Sequence, residues 1–178
     1  MTVKRSRFSS LLIAPILLAA SLAAMPVAWG TEQVHAERNA AMNVLHNFTD
    51  RASDLAIRAM ALVGIRYQYG GNTPENGLDC SGLVRYVFKQ AWGAELPRTS
   101  EEISRVGTKV DSKDLQPGDL VFYNTLRRGF SHVGIYLGDN KFIHSPSAGN
   151  SIRIESMDIA YWKKRFNGAR RINDPEQN

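Results

Sequence analysis

The order of predicted elements is that of an α+β fold, with helices first and a meander of antiparallel strands after them. Three observations predict it. Leu83, Val84, Val87, Phe88, Ala91 and Trp92 recur at helical spacing after Cys80. Apolar and β-branched runs at 120–123 (LVFY), 131–137 (SHVGIYL) and 141–145 (KFIHS) are separated by Gly, Pro, Asp and Asn. The 178 residues fit one domain with appendages. The helices are expected to pack on one side of the sheet.

Residues 1–30 have the three parts of a secretory leader: basic Lys4-Arg5-Ser6-Arg7, an apolar core from Leu11 to Met25, and a small-residue site at Ala28-Trp29-Gly30. Cleavage is expected after Gly30, with Val34-His35-Ala36 as a second candidate site. The apolar core is short for a membrane span and Pro15 interrupts it. An uncleaved anchor is the competing reading. Residues 31–51 read as a polar tail whose His35 and His46 are exposed. Residues 52–172 read as the folded domain and 173–178 as a second tail. Three basic residues belong to the leader, so the net charge of +5 falls to +2 without it. That balance gives no footprint for nucleic acid.

Within the domain, Asp50 or Ser53 is expected to cap a helix to Val63 that buries Leu55, Ala56, Ala59, Met60 and Val63, with Gly64 ending it. Residues 65–69 are a short extended piece and 72–78 a loop. The helix opening at Cys80 stops at Gly93. Thr99 and Glu102 form a capping box for a short helix ending at Gly107. Residues 110–116 read as a connection and 124–130 as an exposed loop. Gly138-Asp139-Asn140 turns the chain between two strands. Further strands are expected at 151–154 and 169–172, and a helix at 159–166 with Tyr161, Trp162 and Phe166 inward.

Cys80 is the single cysteine, so no internal disulfide can form. A leftover thiol in an exported protein calls for a reason. A helix start supplies free backbone N–H groups and the positive dipole end, which favour a thiolate. A buried apolar cysteine is the commoner fate and competes. His132 and His144 share one sheet face if the turn between their strands is a three-residue loop, and opposite faces if it has two. On a common face, one imidazole can take the thiol proton and the other can orient it. His132, beside a loop at its strand start, is the better base, which leaves His144 to orient it. A zinc site of Cys80, His132, His144 and Asp79 is the competing reading. It lacks CxxC or HExxH spacing, and adjacent Asp79 and Cys80 are awkward tetrahedral partners. The preferred reading has no metal and no cofactor.

Several separate stretches resemble a known family in its own order. They are 64–84 (GIRYQYGGNTPENGLDCSGLV), 96–100 (LPRTS), 115–123 (LQPGDLVFY) and 131–145 (SHVGIYLGDNKFIHS). They resemble the NlpC-type cysteine peptidases that cut bacterial cell-wall peptides. The resemblance implies a papain-like α+β fold. It matches Cys80 to the nucleophile, His132 to the general base and His144 to the orienting residue. Tyr67 matches a tyrosine proposed to help with the oxyanion, and Asp79 and Ser81 match residues lining the substrate groove. Arg98, and less so Arg128, are candidates to meet substrate carboxylates. The implied function is a periplasmic murein endopeptidase, monomeric, acting on stem or cross-link peptides and restrained by a regulator or a degrading protease. A non-catalytic wall-binding protein on the same fold is the alternative, as is a thiol amidase or acyltransferase on another substrate.

Overall fold

The computed structural model describes residues 38, 39, 42, 52–126, 129–147 and 149–173. The chain divides into two units, 1–39 and 40–178. Of the first, only Arg38 and Asn39 are described, both helical and exposed. The expected leader, His35, His46, Asp50 and Arg128 lie outside the described residues. All that follows concerns the second unit.

Helix α1 covers 52–60 and buries Leu55, Ala56 and Ala59, as its apolar spacing predicts. It stops a turn early, and residues 61–64 are turns. Met60, the last helical residue, faces solvent against expectation, as does Val63 in the turns, and Leu62 takes the inward place. Two short strands, β1 (Asn72–Thr73) and β2 (Gly77–Leu78), pair within the stretch expected as a loop. They lead into α2, Cys80–Trp92, whose C-cap is left-handed Gly93. Helix α3 (Ser100–Ile103) carries the predicted capping box of Thr99 and Glu102 but ends before Gly107.

A six-stranded sheet follows: β3 (Thr108–Val110), β4 (Leu120–Tyr123), β5 (His132–Gly138), β6 (Lys141–His144), β7 (Arg153–Ser156) and β8 (Phe166–Arg171). Its spatial order is β3-β8-β4-β5-β6-β7, so the meander β4 to β7 is extended on one side by the last strand. β3 lies partly in the expected connection, and a 3₁₀ turn at Ser112–Asp114 completes it.

One sheet face carries Leu120, Phe122, Val133, Ile135 and Ile143, packed with Leu83, Val84, Val87 and Phe88 of α2. The other carries Val121, Tyr123, Tyr136, Phe142 and Ala169, packed with Trp162. Trp162 belongs to a single-turn helix, α4 (Ala160–Lys163). Helical residues thus cover both faces, and the main helix covers one. Only Trp162 of the three aromatics expected inward from that helix is buried. Tyr161 is 45% exposed, and Phe166 has joined β8. A one-turn helix presents one residue to a sheet, so its neighbour on the far side stays in water.

The turn that decides the histidines combines both expected cases. Asp139 and Asn140 have φ of 50° and 53°, a two-residue turn of the left-handed kind. Ile135 pairs with Ile143 and Tyr136 with Phe142, but Gly138 pairs with Lys141, so a bulge adds one residue at 137. The two-residue turn alone would put His132 and His144 on opposite faces. The bulge restores their common parity.

Candidate active site

Asp79 sets the start of α2. It is the N-cap, and its Oδ1 accepts from the backbone N of Gly82 at 2.7 Å and from Ser81 Oγ at 3.1 Å. Its Oδ2 accepts from the N of Gly70 at 3.0 Å. The Arg98 guanidinium closes on the same carboxylate at 3.2 and 2.6 Å and donates to Ser81 Oγ at 2.8 Å. Asp79 and Ser81 are thus buried, and the Arg98 fork, 38% exposed, is committed within the protein. Gly82 admits a close backbone approach here. A Cβ on it would lie 2.1 Å from the Gly71 carbonyl oxygen.

Cys80, half-buried, is the first residue of α2. The backbone N–H groups of Val133, Ser81 and Cys80 itself lie near its sulfur and favour the thiolate. Val133 follows His132, so the thiol sits where β5 begins. Burial, then the Asp79 carboxylate, outweigh these donors and push the thiol up to about 11. This departs from the thiolate expected at a helix start. At that value about one molecule in ten thousand is a thiolate at neutral pH, so a base must take the proton.

The two histidines meet. His132 Nε2 and His144 Nδ1 are 2.9 Å apart, and both rings are buried. The ring of Trp162 stacks on His132 at 5.5 Å and meets His144 edge-on at 4.9 Å. Phe142 stacks on His144 at 4.7 Å. Gly134 makes room, since a Cβ there would lie 3.2 Å from His144 Cβ and 2.7 Å from the Phe142 ring. Glu155, unnoticed in the sequence, closes the row: its Oε2 lies 2.7 Å from His144 Nε2. A lone acid in a four-residue strand next to Ile154 carries no signal of its own, and Ile154 turns out 40% exposed.

Ser145 is a second residue that sequence reading missed. Its buried hydroxyl donates to the Leu78 carbonyl at 2.6 Å, tying the end of β6 to the residue before Asp79-Cys80. Ser145→Ala should cost about 1 kcal/mol, because it leaves a buried carbonyl with only the 3.4 Å bond from the Gln68 N–H. Urea unfolding checks this, and an unchanged midpoint would refute the tie.

Tyr67 is half-buried, within electrostatic range of Cys80 and Asp79. Burial, then those two groups, push its hydroxyl up, so it stays protonated and able to donate. Two members of the weighed zinc set are engaged elsewhere: Asp79 in the cap, His144 at both ring nitrogens. Among the described residues no three His, Cys, Asp or Glu are grouped to hold a metal ion.

Burial pushes both imidazoles down, to about 3. For His132 the neighbouring His144 adds to the effect, and for His144 Arg153 does. From pH 6.5 down to about 3 the unfolded chain therefore binds protons that the folded chain refuses. Stability is complete above that window and is lost as pH falls through it. Cys80 acts in reverse: above pH 9 the unfolded chain gives up a proton that the folded chain keeps, so stability falls as pH rises toward 11. Urea midpoints should drop between pH 7.5 and 4.5, and drop less in His144→Gln. A flat acid limb in the wild type would contradict the burial of these rings.

Residues 64–171 match the profile described as the NlpC/P60 family. The chain belongs to the NlpC/P60 family. Among curated relatives in the family's range, the gamma-DL-glutamyl hydrolase of Bacillus subtilis is 43% identical over 120 residues, 65% of this chain and 29% of the relative. The murein DD-endopeptidase MepH of Escherichia coli is 41% identical over 122 residues, 67% of this chain and 45% of MepH. The E. coli murein DD-endopeptidase MepS/murein LD-carboxypeptidase is 45% identical over 109 residues, 61% of this chain and 56% of MepS. The chain thus spans roughly a third to a half of these relatives. An NlpC/P60 family protein from Bacillus cereus superposes with a TM-score of 0.63 at 35% identity, covering 67% of this chain and 39% of that one. The NlpC/p60 domain of the peptidoglycan hydrolase SagA does so at 0.60 and 30%, covering 68% and 98%. These NlpC/P60 matches agree with the papain-like α+β architecture.

Proposed function

We propose that this chain is a thiol endopeptidase of peptidoglycan, exported after loss of residues 1–30 and cutting amide bonds in murein stem or cross-link peptides. One observation carries the reading: the sulfur of Cys80 rests against the strand start from which His132 leads into a row of polar partners. In the reaction, Cys80 Sγ bonds to the substrate carbonyl carbon while its proton passes to His132. The Tyr67 hydroxyl and the backbone N–H of Cys80 stabilise the oxyanion. His132 returns the proton to the departing amine as the C–N bond breaks. Water then attacks the thioester, giving its proton to His132, and the thiol is restored. His144 orients His132 throughout, and Arg98 holds Asp79 and Ser81 at the groove wall.

The relatives are named for gamma-DL-glutamyl hydrolase, DD-endopeptidase and LD-carboxypeptidase activities, and the two candidate bonds for this chain are the D-alanyl–diaminopimelate cross-link and the γ-D-glutamyl–diaminopimelate stem bond. Digestion of purified sacculi and mass spectrometry of the released muropeptides distinguishes them. Release of peptides with one new amine per cut supports the endopeptidase. Binding to sacculi with no release would leave a wall-binding protein instead.

A further inference from the structure

We propose that Glu155 is a positioning residue, the fixed end of a hydrogen-bond row that leaves His132 Nδ1 unprotonated and able to take the thiol's proton. The inference deepens the cysteine–histidine reading and rests on it. Glu155 Oε2 lies 2.7 Å from His144 Nε2 and accepts from Trp162 Nε1 at 2.9 Å. Its other oxygen, Oε1, pairs with Arg153 Nε at 3.3 Å. The carboxylate is thereby held at both ends and is 21% exposed.

The protons follow from this anchor. A carboxylate only accepts, so the shared hydrogen of the 2.7 Å contact belongs to His144 Nε2. Neutral His144 then offers Nδ1 as an acceptor. The 2.9 Å contact to His132 Nε2 needs a donor, so that nitrogen carries the hydrogen. Neutral His132 is left with a bare Nδ1, the lone pair a general base requires. The indole of Trp162 serves the row twice. It donates to the anchor and lies flat on His132, so ring flips of either partner would break packing as well as hydrogen bonds. Without the anchor, the two rings can satisfy each other in the reverse order, with the proton on His132 Nδ1 and no bare nitrogen left for the thiol's proton.

The test pairs a spectroscopic readout with turnover. Nitrogen–proton correlation spectra of the ¹⁵N-labelled protein at neutral pH report which ring nitrogen of each histidine is protonated. The wild type is expected to show Nε2–H on both His132 and His144. In Glu155→Leu the His132 proton should redistribute to Nδ1, and kcat on sacculi should fall about 10- to 100-fold, the loss of one charge-assisted hydrogen bond. Glu155→Gln keeps an oxygen for both donors and should recover to within tenfold of wild type. Wild-type tautomers and kcat in Glu155→Leu would overturn the assignment, as would Nδ1–H on His132 in the wild type. The wild-type spectrum decides even if the leucine variant fails to fold. His132→Ala run beside them separates the two claims. Activity there would refute the cysteine–histidine reading itself, whereas an inactive His132→Ala with a fully active Glu155→Leu refutes the anchor alone.

Discussion

Cys80→Ala should lower peptide release from murein by at least about 10⁴-fold, the usual loss when a nucleophile is removed and only binding and oxyanion contacts remain. The fold should survive the change. The helix is capped by Asp79, not by Cys80, and Cys80 as a residue is only half-buried. Alanine is also the best helix former for that position. The melting temperature is therefore expected to stay within a few degrees, since the change removes less than a methylene's worth of packing, about 1 kcal/mol. A variant that keeps even a tenth of wild-type release would rule out covalent catalysis at this sulfur. Mass spectrometry of the trapped acyl-enzyme, present in the wild type at low temperature and absent in the variant, checks the same claim independently.

The second large effect lies one residue earlier. Asp79→Ala removes an N-cap and leaves the N–H groups of Gly70 and Gly82 without their acceptor. It also unpairs Arg98. The cap bond to Gly82 contributes about 1–2 kcal/mol, and Gly70 is exposed, so water takes over most of what its N–H loses. Arg98 is more than a third exposed, so water replaces most of its lost partner and its share is small. A total of about 1–2 kcal/mol lowers the melting temperature of a domain this size by roughly 5 °C. Activity should fall further than stability alone requires, because the cap sets where Cys80 starts the helix. Asp79→Asn keeps the cap oxygen and loses the ion pair, so it should fall between alanine and wild type. An alanine variant as stable as wild type would show that the helix start is held by something else. Scanning calorimetry on the three proteins decides it.

The stretches that carry the candidate site were readable because each lies in a short, local pattern. Turn residues, then a lone cysteine, then a helical apolar stripe placed Cys80 at a helix start. Thr99 with Glu102 predicted its capping box, since both partners lie within one turn. Glu155, Trp162 and Ser145 were not readable as site residues. Each acts through a partner on another strand or 67 residues away, and a single sequence carries no trace of that pairing. The ionisation of Cys80 went the other way from expectation for a similar reason. A helix start can be seen in a sequence, but the desolvation that opposes it depends on what the fold lays over the thiol.

By itself the sequence determined the α+β order of elements, the place of Cys80 and the two candidate imidazoles, because periodicity and turn chemistry are local properties of the chain. Only the tertiary structure decided that the imidazoles share a face. A bulge at 137 reverses what the two-residue turn would do, and one inserted residue flips every side chain beyond it. The tertiary structure likewise brought Glu155 to the far end of the pair, because strands meet by register and not by position along the chain.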